Sequence, residues 1–110
     1  MSYVPEKGDI VWLNFDPSAG MEITKLRPAF VLSRKPFNEH TAMAIVAPIT
    51  STVRGIKLEV RLPEECKTQG TVLVHQLRSL DFAERQARFI EKAPNAITEK
   101  VTQLAKVIIS

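Results

Sequence analysis

Arg27 stands directly before Pro28, and Thr50 follows the apolar run Ala42 to Pro48. Proline at 28 forces Arg27 into extended backbone. Its side chain is therefore anchored at the root of the preceding loop, Asp16 to Arg27, and not at a floppy tip. A guanidinium held that way aims its planar fork at a phosphate, or salt-bridges a nearby carboxylate. Pro48-Ile49-Thr50-Ser51-Thr52 ends an apolar stretch in hydroxyls. Such hydroxyls satisfy turn backbone, or hydrogen-bond a phosphate oxygen or a sugar hydroxyl. If the apolar segments on either side of the 36–41 connection pair antiparallel, Arg27 at the start of one meets Thr50 at the end of the other. The chain has no P-loop, CxxC pair, HExxH or GxSxG motif. Its two histidines, His40 and His75, have no local carboxylate or cysteine cluster, so no metal is expected. A nuclease built on these residues works without one. RNA permits that, because its own 2′-hydroxyl can attack the adjacent phosphorus. The protein must then take one proton, supply another and stabilise a doubly charged phosphorane.

The elements that must position these groups read as short strands. Ile10 to Phe15 is the first, and Ala29 to Ser33 the second, buried on both faces because it lacks alternation. Pro36-Phe37-Asn38 reads as a turn or short helical turn. Ala42 to Pro48 is a third strand, apolar on both faces. Residues 57–62 alternate, with Leu58, Val60 and Leu62 inward. A further strand begins at Thr71 in TVLVHQL, and a last covers Arg88 to Glu91. After Ala93-Pro94-Asn95 the period changes. Ile97, Val101, Leu104 and Ile108 share one helical face, with Asn95 as N-cap. Five or six strands followed by one helix predict a strongly bent antiparallel sheet or small barrel plugged by the helix. Trp12, Phe15 and Phe30 lie in apolar strands and read as core. Phe37, in a polar turn, is a candidate for stacking an unpaired base.

The 110 residues suit one domain spanning 1–110. Hydrophobic residues make up 45% of them, enough for a packed core. No apolar run is long enough to span a bilayer, and MSYVPEKGD is not a signal peptide. The single cysteine, Cys66, reads as a spectator thiol, and a cytosolic location is expected. Net charge is only +3, but Lys25, Arg27, Arg34, Lys35, Arg54, Lys57 and Arg61 share their span with just Glu39 and Glu59. That stretch suits a polyanion or an acidic protein segment, or is an ordinary solvated face.

Taken in order, GDIVWLNFDPSAG, RPAFVLS, VAPITS and VLVHQLRSLD resemble the MazF/PemK family of toxins from toxin–antitoxin modules. The resemblance runs from about Gly8 to the C-terminal helix. It implies an SH3-like small barrel, a homodimer, no cofactor, and metal-independent cleavage of single-stranded mRNA at a short motif. It also implies inhibition by an antitoxin with an acidic disordered tail, through which alone operator DNA would be met. By the same resemblance Arg27 matches the catalytic arginine, Thr50 the catalytic threonine, and Glu22 the candidate base. Two departures stand out. Gly20-Met21-Glu22-Ile23 replaces a frequent Gly-His-Glu-Gln, and His75-Gln76 replaces a frequent Asp-Gln. Lys25, Phe37, Ser51, Arg54, His75, Gln76 and Arg78 complete the expected RNA-binding set. Two other functions fit the same fold: a non-enzymatic CcdB-like gyrase poison, and an RNA-binding module without cleavage. The gyrase poisons act through a C-terminal tail with a tryptophan, whereas this chain ends KVIIS and its one tryptophan is Trp12.

Overall fold

The computed structural model describes residues 3–15, 25–52 and 58–110. Within them, seven strands and two helices follow in chain order. They are β1 (Asp9–Asn14), β2 (Leu26–Val31), α1 (Lys35–Thr41), β3 (Ala44–Thr50), β4 (Glu59–Arg61), β5 (Thr71–Leu73), β6 (Arg78–Leu80), β7 (Arg88–Lys92) and α2 (Asn95–Ile109). The strands form one bent antiparallel sheet in the order β4-β5-β3-β2-β1-β7. β3 bends it by changing partners: Ala44 to Val46 pair with β6, and Ile49 and Thr50 pair with β5.

β1, β2 and β3 are apolar on both faces because each face meets its own core. Successive strand residues point to opposite sides, so Ile10, Phe30, Ala47 and Ile49 join one cluster, closed by Ile97 and Val101 of α2. Val11, Leu13, Ala29, Val31 and Val46 join the other, with Leu80 and Phe82. Phe15 and Phe30 are fully buried, as the sequence suggests. Trp12 is not: it is 39% exposed, on a strand whose other apolar residues are buried. The periodicity of β1 shows an apolar residue but not where the core ends, and Trp12 lies beyond that edge.

Seven strands form where the sequence reading expects five or six, and three elements differ in detail. The strand begun at Thr71 ends at Leu73, and Val74 to Gln76 form a 3-10 turn before β6. Partner exchange along β3 requires that break, since β5 and β6 pair with it in registers three residues apart. The 36–41 connection is a seven-residue helix, begun by Pro36 near its N-terminus. The N-cap of α2 is Pro94, whose carbonyl accepts from Ile97 N–H at 3.0 Å and Thr98 N–H at 3.1 Å. Asn95 is the first helical residue instead of the cap.

Two polar knots tie the periphery down. Asn38 is fully buried; its Nδ2 donates to Pro5 O at 2.8 Å and Ser33 O at 3.2 Å, joining α1 to the N-terminal segment. Buried Asp9 accepts from the Tyr3 hydroxyl and from Glu6 N–H at 3.0 Å, and pairs with Lys92 Nζ at 2.8 Å. Burial, together with the bond to the Asp9 carboxylate, pushes the Tyr3 phenol well above its ordinary range, so it remains a donor.

Candidate active site

The pairing of β2 with β3 brings the first two candidates together. Ala29 lies opposite Pro48, Phe30 opposite Ala47 and Val31 opposite Val46. That pairing ends at Ala29 and Pro48; Arg27 and Thr50 each lie two residues beyond it, and Arg27 shares a groove with Ile49 and Ser51, the neighbours of Thr50. Residues directly opposite share a face of the sheet. Thr50 faces Thr71 on β5, and Thr71 faces Arg61 on β4. Thr50, Thr71 and Arg61 thus form one line across three strands, and Arg27 is on β2, the next strand in the order.

Thr50 is buried, and its Oγ1 accepts the N–H of Thr52 at 3.2 Å. A hydroxyl that accepts there keeps its own proton to donate. Arg27 is half-buried and opens into a groove of about 420 Å³. Trp12, Pro28, Ile49 and Ile90 give the groove apolar walls, while Ser51, Lys67, Thr68 and Gln69 join Arg27 as its polar lining. An aromatic ring and a guanidinium in one groove suit a base with its phosphate.

The turn that supplies Lys67, Thr68 and Gln69 is held from below. The Glu91 carboxylate on β7 accepts Lys67 N–H at 3.1 Å and Thr68 N–H at 2.7 Å. Burial by itself would raise the Glu91 carboxyl, but the Thr68 and Lys67 N–H groups outweigh it and hold it below the usual carboxylate range. Gly70 ends the turn with φ of +129°, and a Cβ there would lie 2.4 Å from the Thr50 carbonyl oxygen. The turn therefore lies flush against the end of β3 only because residue 70 has no side chain. Burial, aided by Glu91 and Glu65, pushes the Cys66 thiol up. A buried neutral thiol is a poor nucleophile, in keeping with a spectator role.

The expected RNA-binding set is divided in space. Lys25 is exposed, two residues before Arg27, and Ser51 lines the groove. Phe37 is 44% exposed but sits on α1, beyond the Val31 end of β2, whereas Arg27 is near the other end. His75 and Gln76 lie in the 3-10 turn, which packs against α2, β3 and β4. His75 Nδ1 is buried and has no hydrogen-bond partner among the described residues. Arg78 faces Val46, far along β3 from Thr50. Glu22 and Arg54 lie outside the described residues. The basic stretch divides likewise: Lys25, Arg27 and Arg61 are at the groove end, Arg34 and Lys35 at the α1 end. Sequence reading missed Trp12, Lys67, Thr68 and Gln69 as groove residues. The signal available was Gly70 closing a polar segment just before a strand. Among the described residues, no group of three His, Cys, Asp or Glu side chains is placed to hold a metal ion, and no helix is long and apolar enough to cross a membrane.

The model of the PemK-like, MazF-like toxins of type II toxin–antitoxin systems matches residues 6–109. The chain belongs to this toxin family. The toxin is 38% identical over 85 residues to the endoribonuclease toxin MazF of Escherichia coli K12, covering 77% of this chain and 76% of that one. Its fold superimposes on the crystal structure of MazF from Deinococcus radiodurans with a TM-score of 0.94, at 38% identity and 98% coverage of both chains. A MazE–MazF structure from the same organism matches the toxin with a TM-score of 0.87 at 38% identity, covering 98% of this chain and 97% of that one. The small antiparallel barrel with its terminal helix is thus the fold of the family.

Proposed function

We propose that this toxin is an endoribonuclease that cuts single-stranded mRNA at a short sequence motif and so arrests translation and growth. The observation that carries the reading is Arg27 in a groove walled by Trp12, beside Ile49 and Ser51 on either side of Thr50. In the proposed reaction the 2′-hydroxyl oxygen attacks the adjacent phosphorus, and the bond from phosphorus to the 5′-oxygen breaks. Glu22 takes the 2′-hydroxyl proton. Arg27 stabilises the phosphorane and gives a proton to the departing 5′-oxygen. Thr50 donates its hydroxyl proton to a phosphate oxygen while accepting from Thr52. The products are a 2′,3′-cyclic phosphate and a 5′-hydroxyl end. Lys25 and Ser51 hold the strand at this end of the sheet, with Arg54 as a further contact; His75, Gln76 and Arg78 serve RNA or the second subunit elsewhere on the surface, and Phe37 stacks a base away from this groove. The protein acts in the cytoplasm as a homodimer without a cofactor. A cognate antitoxin restrains it through an acidic disordered tail and alone brings it to operator DNA.

The test is cleavage of a long single-stranded RNA in EDTA, with the ends mapped. Cuts at one recurring motif, bearing cyclic phosphate ends, are expected. Arg27→Ala should lose about a hundredfold or more in rate while keeping its fold, the usual scale for removing a transition-state charge partner. Intact RNA from folded, antitoxin-free protein would overturn the reading and direct attention to a topoisomerase assay.

A further inference from the structure

The groove beside Arg27 does not end at the polar turn. A second pocket of about 210 Å³ adjoins it, lined by Arg61, Leu62, Glu64, Gly70 and Thr71 and sharing Ser51 and Gln69 with the first. The two pockets are therefore two compartments either side of a Ser51–Gln69 ridge. Arg27 lines one, on β2, and Arg61 lines the other, on β4, with the paired Thr50 and Thr71 on the two strands between. Arg61 is exposed, and no ion pair engages it among the described residues.

We propose that the Arg61 pocket is a second nucleotide subsite, holding the phosphate next along the strand from the one at Arg27. The proposal rests on the ribonuclease reading and extends it. β2 and β4 are three strand spacings apart, roughly 14 Å between backbones. Two arginine side chains reaching inward leave a gap that one extended strand crosses between neighbouring phosphates. The ridge suits that path. Gly70 presses flush against the Thr50 carbonyl and Glu91 pins the turn, so the polynucleotide meets a fixed floor. Glu64 brings a carboxylate into the second pocket. A carboxylate repels a phosphate beside it but accepts from an exocyclic amino group. The phosphate therefore goes to Arg61 and the base edge to Glu64, which makes this pocket selective for a base bearing an amino group.

The test uses the full chain and a short mixed-sequence single-stranded oligoribonucleotide with its 2′-hydroxyls methylated, which blocks cutting. Trp12, the one tryptophan, lines the first pocket and reports binding by fluorescence. Binding is measured across a salt series for wild type and Arg61→Gln, with thermal melts as a control for folding. Removing one phosphate contact should lower the slope of log affinity against log salt by about 0.7. It should also raise KM for the unblocked RNA about tenfold, with kcat falling less than about threefold. Glu64→Gln should relax base preference one position from the cut. An unchanged salt slope in folded Arg61→Gln would overturn the proposal, as would a loss confined to kcat. Failure of the wild type to bind would overturn it as well. Wild-type protein that binds with the Arg61-dependent slope but cuts no RNA would instead sink the ribonuclease reading and leave the subsite standing.

Discussion

Thr50 is a residue whose structural and chemical duties separate cleanly by substitution. Its Oγ1 closes a turn by accepting Thr52 N–H, and by proposal its proton serves the phosphate. Thr50→Ser keeps both and should retain most of the cleavage rate. Thr50→Val keeps the shape and loses both; the expected cost is about 1 kcal/mol of stability from the lost hydrogen bond, since the exposed Thr52 amide is then met by water, with cleavage reduced well beyond the unfolded fraction. Rate measured beside melting temperature for the two variants checks this. Glu91 makes a pH prediction. Its folded carboxyl lies below its ordinary value, so it contributes stability at pH above the ordinary carboxylate range. That contribution disappears as pH falls through the folded value. The melting temperature of wild type should therefore exceed that of Glu91→Gln near neutrality, and the gap should close in acid. A gap that is constant with pH would show that the charge does not hold the turn. Arg27 was legible because proline fixes its backbone. Glu91 was not, because its partners are two amides more than twenty residues away in sequence.

At the scale of elements, the 63–70 segment carries the groove without being a regular element at all. Gly70 is its hinge point. Gly70→Ala must adopt φ near +129° and clear a carbonyl oxygen 2.4 Å from the new Cβ. Strain of this kind costs of order 1–3 kcal/mol, and relief requires the end of β3 to move, taking Thr50 with it. Both lower stability and lower cleavage are expected, read from denaturant melts and initial rates. Asn38 makes the contrasting case. It is fully buried in α1, away from the groove, and bonds Pro5 and Ser33. Asn38→Leu should cost about 1–3 kcal/mol without altering the cleavage motif of the protein that remains folded. The strands themselves were readable from apolar runs. The break after Leu73 was not, because it follows from β3 changing partners and not from any residue in TVLVHQL.

For the whole molecule, charge distribution matters more than its net value of +3. Basic groups gather at the groove end and again at the α1 end, so a bound polyanion meets two separate patches. An acidic, unstructured peptide of the antitoxin class should compete with the blocked oligonucleotide at the groove. Both complexes should weaken steeply between roughly 50 and 200 mM salt. Competition measured through Trp12 fluorescence checks this; a peptide that blocks cleavage without displacing the oligonucleotide would place its site elsewhere.

The sequence by itself determined which residues were fixed by local covalent and periodic constraints. Pro28 set the backbone of Arg27, the apolar runs set β1, β2 and β3, and the four-three-four spacing set α2. Only the tertiary structure decided which of these groups meet. Strand order puts Arg27 and Thr50 on neighbouring strands, sends Phe37 and Arg78 away from them, exposes Trp12, and brings the 67–69 turn into the groove with Arg27. The physical reason is that a strand's pattern specifies its faces but not its neighbours. Neighbours are chosen by the packing of two cores on opposite sides of one bent sheet, to which every strand contributes at once.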